Sequence, residues 1–128
     1  MALGAALTAA AVDLAQKALA GPTLHHLRSP AALLLMAAVA VGLLLLVPRI
    51  PSTAVVVGGG IAAGGAIGNL ASALVWSAGV PDPIVVRGSI GGIAFNLADV
   101  FVLAGDMLLV SAAAIHGLRN RQRLREPV

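Results

Sequence analysis

Four long apolar runs, broken only by glycines and isolated polar groups, constrain this chain more than any other feature. They lie at about 3–20, 30–47, 53–76 and 90–118, close to or above the roughly 20 residues that an α-helix needs to cross a bilayer. Lipid offers no water to unpaired backbone groups, so runs of this length read as helices. Hydrophobic residues make up 59% of the chain, charged residues only 10%, and the mean hydropathy is +1.01. A water-soluble surface cannot be assembled from the remainder. The expected fold is an all-α membrane protein of four transmembrane helices over residues 1–118, followed by a basic tail at 119–128.

Polar groups inside such runs are costly and therefore candidates for function. Asp13 and Lys17 lie four apart in the first run, on one helical face where each neutralises the other. That pair serves either to orient the helix or to shape a site. The second run is almost pure Ala, Leu and Val and carries no chemistry. The third holds Gly60, Gly64 and Gly68 at a spacing that lets helices approach closely in lipid, followed by Asn69 and Ser72. A phosphate-cradling loop is the poorer reading of these glycines, because neither a preceding strand nor a following Lys-Ser/Thr accompanies them. After a polar loop at Ser77–Ser89 with Pro81-Asp82-Pro83, the fourth run holds Asn96, Asp99, Asp106 and His116.

No Lys or Arg precedes the first run, and Asp13 and Lys17 interrupt it, so it is expected to be retained rather than cleaved as a signal peptide. Four of the eight basic residues are Arg119, Arg121, Arg123 and Arg125, and Arg49 lies between the second and third runs. The excess of arginine on one side puts both termini in the cytoplasm and the loops holding His25-His26 and Asp82 outside. Asn69, Ser72 and Asp99 then belong to the outer leaflet. The arginines suit anionic headgroups better than nucleic acid. Cysteine is absent, which excludes disulfides and thiol chemistry. His25-His26 is a lone pair without further ligands at metal spacing, so no metal or other cofactor is expected. His116, at the expected last turn, reads as a cap for helix carbonyls.

Several blocks, taken together, resemble the signal peptidase II family, the bacterial lipoprotein signal peptidases. They are Gly64-Gly65-Ala66-Ile67-Gly68-Asn69-Leu70, Gly79-Val80 with Asp82, and Phe95-Asn96-Leu97-Ala98-Asp99, in the family's order. Asp13-Leu14-Ala15-Gln16-Lys17 is similar to the family's first-helix block. The resemblance implies a multi-pass protein of the bacterial inner membrane that cuts lipid-modified prolipoproteins before the diacylglyceryl cysteine. It also implies two carboxylates sharing one water, one as base and one as acid. Asp99 matches the second catalytic aspartate, Asp82 the family's loop aspartate, and Asn69 and Asn96 are the groups that orient the site.

The chain departs from that pattern at one block. Where the family writes Gly-Asn-x-x-Asp-Arg, this sequence has Gly68-Asn69-Leu70-Ala71-Ser72-Ala73. Read against the block, Ser72 occupies the position of the first catalytic aspartate, and a hydroxyl does not replace a carboxylate near neutral pH. The family's longer outer stretch between the first two helices also has no counterpart between Pro22 and Pro30. Three readings follow: a peptidase using another acid, an inactive relative that binds lipoproteins, lipid or a partner membrane protein, and a small proton-coupled transporter. Asp13, Asp82 and Asp106 are the candidate second acids, although Asp106 lies roughly 10 Å beyond Asp99 along a helix. The transporter reading suffers from the scarcity of aromatics, which are Trp76, Phe95 and Phe101. Ser72 and Asp99 are expected to face each other across one interhelical cleft.

Overall fold

The computed structural model describes residues 1–21 and 23–123. Four helices long and apolar enough to span a membrane dominate it: α1 (Ala2–Leu19), α2 (Pro30–Leu46), α3 (Thr53–Val75) and α4 (Leu97–Arg123). A 3-10 turn at Val47–Arg49 joins α2 to α3. Ser29 starts α2 by accepting a hydrogen bond from the Ala32 amide at 3.2 Å, and Pro30 occupies the first turn, where its missing N–H costs nothing.

Helix α3 is the centre of the bundle. Its spanning window is 61% buried, against 11% for α2 and for α4. Glycine makes this possible, because helices without a hydrophobic driving force between them associate by close backbone packing. A methyl group at Gly60 would land 2.5 Å from the Ala2 carbonyl oxygen, and one at Gly68 would land 2.6 Å from Asp13 Oδ2. This face, with Gly64 against Ala6, lies along α1 in parallel. The opposite face meets α4 antiparallel: a methyl at Gly58 would approach the Leu109 nitrogen to 2.7 Å, and Gly65 abuts Ala98 and Val102. Large apolar side chains such as Leu34, Leu35, Leu45, Leu103 and Val110 point outward, where lipid and not water satisfies them.

Two small antiparallel ladders occupy the end of the bundle opposite the termini. Strand β1 (Leu24–His26) pairs with β2 (Val80–Asp82) in the register Leu24↔Asp82 and His26↔Val80. Strands β3 (Ile84–Gly88) and β4 (Gly91–Phe95) form a hairpin, with Ile84 opposite Phe95 and Val86 opposite Ile93. The Pro81-Asp82-Pro83 stretch therefore lies largely in a strand, and the supposed loop at Ser77–Ser89 is mostly paired. The fourth span also starts later than expected, at Leu97 rather than near residue 90. Gly91-Gly92 disfavour helix, and the β-branched Ile84, Val85, Val86 and Ile93 favour extended backbone before Asn96. At its other end α4 continues through Arg123, so His116 is not in the last turn. Its Nε2 instead accepts from Asn120 Nδ2 at 3.2 Å, and residues 124–128 of the expected tail lie outside the described residues.

The contrast between crowded and open glycines gives a test. Gly60→Val and Gly64→Leu are expected to lower the midpoint of thermal unfolding in detergent by several degrees, through lost helix contact. Gly4→Ala and Gly117→Ala, helical positions whose surroundings are empty within 4 Å, should leave it unchanged or slightly raised.

Candidate active site

A polar cluster joins α1, α3, α4 and the β1–β2 ladder at the strand-bearing end of the bundle. It is organised by two nodes, Lys17 and Asn96.

Lys17 is buried and its ammonium has three hydrogens, each with a partner: Asp13 Oδ2 at 2.7 Å, Asn69 Oδ1 at 3.0 Å and Ser72 Oγ at 2.9 Å. A buried charge is tolerable only when paired and hydrogen-bonded, and this one is saturated. Ser72 passes its own hydrogen back along α3 to the Gly68 carbonyl at 2.6 Å. Because Asn69 Oδ1 faces the ammonium, its Nδ2 must point away, and it donates to Asp99 Oδ1 at 2.9 Å. The same helix turn thus carries both Lys17 partners on α3 and a donor to Asp99.

Asn96 lies immediately before α4 and forms a reciprocal cap with Asp99. Its Oδ1 accepts from the Asp99 amide at 3.1 Å, and its own amide donates to Asp99 Oδ2 at 3.3 Å. The first two free amides of α4 are met from α1: Leu97 N donates to Gln16 Oε1 at 3.4 Å and Ala98 N to Asp13 Oδ1 at 2.8 Å. Carboxylates at a helix N-terminus are favoured by its partial positive charge, and two of them meet here. The Asn96 side chain also donates across to β2, to Asp82 Oδ1 at 2.6 Å and to the Pro81 carbonyl at 3.3 Å. One asparagine therefore holds Asp82 and Asp99 together.

The two carboxylates differ in exposure. The side chain of Asp82 is 2% exposed and that of Asp99 35%. Asp99 opens into a cleft of about 300 Å³ between α2 and α4, with Arg28, Met36, Asn69 and Asp106 also on its walls. The Arg28 guanidinium lies 3.7 Å from Asp99 Oδ1, and its Nε is buried with no hydrogen-bond partner among the described residues.

Residues 6–115 match Peptidase_A8, signal peptidase (SPase) II. The chain belongs to the signal peptidase II family. Compared with individually curated proteins, it matches none. The signal peptidase II blocks, scattered over more than eighty positions from Asp13 to Asp99, meet in the one cluster described above.

The residues named from sequence are thereby accounted for. Asp13, Lys17, Asn69, Ser72, Asp82, Asn96 and Asp99 form one connected network, with Asn69 and Lys17 standing between Ser72 and Asp99. Ser72 is fully buried and does not line the cleft into which Asp99 opens. Asn96 and Asp99, expected within a spanning helix, start it instead. Asp106 shares the cleft with Asp99 but has no polar partner among the described residues. Gln16 and His26 were not singled out as site residues. The Asn-x-x-Asp spacing at 96–99 was a readable capping signal, whereas nothing local in the sequence joins Gln16 to Leu97 or His26 to Asp82.

Removing one member of a buried ion pair strands the other, which costs about 3–5 kcal/mol. Lys17→Met is therefore expected to destabilise the protein strongly in denaturant titrations in mixed micelles. The double variant Asp13→Asn/Lys17→Met, which removes both charges, should recover part of that loss.

Proposed function

We propose that the chain is an active peptidase of the signal peptidase II kind and that Asp82 and Asp99 are its acid pair. The observation that carries this reading is Asn96, whose side chain donates to Asp82 while its side-chain oxygen and backbone amide bracket Asp99. Two carboxylates held by one residue at the same end of the bundle supply the groups that hydrolysis by a shared water needs. One removes a proton from the water as its oxygen attacks the scissile carbonyl carbon. The other protonates the carbonyl oxygen; as the C–N bond breaks, the proton taken from water passes to the departing amine, and a hydroxyl of the diol returns its proton to the carboxylate that gave one up, which restores the pair.

Ser72 belongs to the scaffold on this reading. Its hydroxyl is spent on Lys17 and the Gly68 carbonyl, and the position need not hold a catalytic acid. The substrate is a diacylglyceryl-modified prolipoprotein, whose acyl chains suit the Met36, Val102 and Leu103 side of the lateral cleft beside Asp99. Arg49, Arg119 and Arg121 lie at the opposite end from the acid pair, which agrees with cytoplasmic termini and a site at the outer face of the bacterial inner membrane.

Cleavage of a diacylglyceryl-modified prolipoprotein by the purified protein in lipid tests the reading. Wild type is expected to cleave, and Asp82→Asn and Asp99→Asn each to lose about 10²-fold or more. Ser72→Ala should remain within a few-fold of wild type. An inert wild type that gains activity as Ser72→Asp would overturn this assignment in favour of a relative that has lost its chemistry and works by binding.

A further inference from the structure

Asp82 has a second partner besides Asn96. The Nδ1 of His26 contacts Asp82 Oδ2, while Asn96 Nδ2 donates to Oδ1. When Asp82 is ionised its carboxylate only accepts, and it is the imidazole with its hydrogen on Nδ1 that suits this contact. The two groups are brought together by the β1–β2 ladder, in which Leu24 is opposite Asp82 and His26 opposite Val80. Gly79 tightens that corner. Its φ is +105°, and a side chain there would come within 2.7 Å of the His26 carbonyl oxygen.

The burial of the two partners is unequal. Asp82 is almost wholly enclosed, whereas the His26 side chain is 55% exposed and lines an open cleft of about 390 Å³ with Val85 and Arg87. The imidazole therefore contributes little to the packed interior. Among the described residues its one side-chain hydrogen-bond partner is the carboxylate.

The final torsion of an aspartate is soft, so a donor on one oxygen leaves the carboxylate plane free to swing. Donors on both oxygens fix it. We infer that His26 is a positioning residue for peptide hydrolysis: with Asn96 it clamps the Asp82 carboxylate from two sides and sets its plane relative to Asp99. The inference rests on the acid-pair reading above. A displaced catalytic group costs up to about 10²-fold in rate for a shift near 1 Å, whereas substrate binding along the cleft beside Asp99 does not involve His26.

The test uses the full-length protein in lipid and steady-state cleavage of the diacylglyceryl prolipoprotein. His26→Ala is expected to lower kcat by about 10- to 100-fold with KM little changed. His26→Asn, whose amide nitrogen is as many bonds from the backbone as Nδ1, should restore most of the loss and keep the wild-type unfolding midpoint. Nitrogen-15 NMR of the imidazole gives a readout that needs no activity: the Nδ1–H form dominates in wild type and gives way to the other tautomer in Asp82→Ala. An unchanged kcat in His26→Ala, a His26→Asn variant no better than alanine, or a tautomer indifferent to Asp82 each overturns the inference. Asp82→Asn separates the two claims. If it abolishes cleavage while His26→Ala does not, the acid pair stands and the positioning role falls; if Asp82→Asn cleaves normally, the acid pair itself falls.

Discussion

The structure depends on how the first turn of α4 is satisfied. A helix begins with amides that have no partner inside it, and in an apolar setting each such amide is expensive. Here Gln16, Asp13 and Asn96 accept from Leu97, Ala98 and Asp99 in succession. Two of these acceptors come from α1, more than eighty residues earlier in the chain. Capping α4 thus locks α1 to it at one level. That level is where Asn69 reaches Asp99 and Asn96 reaches Asp82. The same bonds that terminate unpaired backbone also bring the carboxylates together.

Charge balance explains why the departure at residues 72 and 73 is compatible with this arrangement. Relative to the Asp-Arg of the Gly-Asn-x-x-Asp-Arg block that this stretch resembles, Ser72 and Ala73 drop one negative and one positive charge together. Lys17 still has Asp13 as its counter-ion, and the serine hydroxyl supplies the third acceptor that the ammonium requires. A carboxylate at 72 would add a second negative charge beside a Lys17 ammonium that Asp13 already neutralises.

Much of this was legible from the residues, and the exceptions have physical causes. Apolar length located the four helices, and the Gly60, Gly64 and Gly68 spacing announced the packing of α3, because both signals are local and periodic. The hairpin at Ile84–Phe95 was hidden because its apolar second strand runs directly into α4, and hydropathy does not distinguish an extended segment from a helical one. The Asp13–Lys17 pair was visible as a four-residue spacing, but its third and fourth partners, Asn69 and Ser72, are contacts across the bundle. Ser72 was read from its place in a motif. The structure instead gives Asp82 and Asp99 a shared neighbour, which no alignment of blocks along the chain conveys.

The Asp13–Lys17 pair also bears on how such a chain enters the membrane. Helix α1 is made first, and during synthesis neither Asn69 nor the amides of α4 yet exist to receive its charges. Because the two residues are one helical turn apart, α1 carries its own counter-charge and can wait in lipid as a neutral segment. The Asn69 and Ser72 side chains and the α4 amides are then supplied to an ion pair that α1 can form by itself.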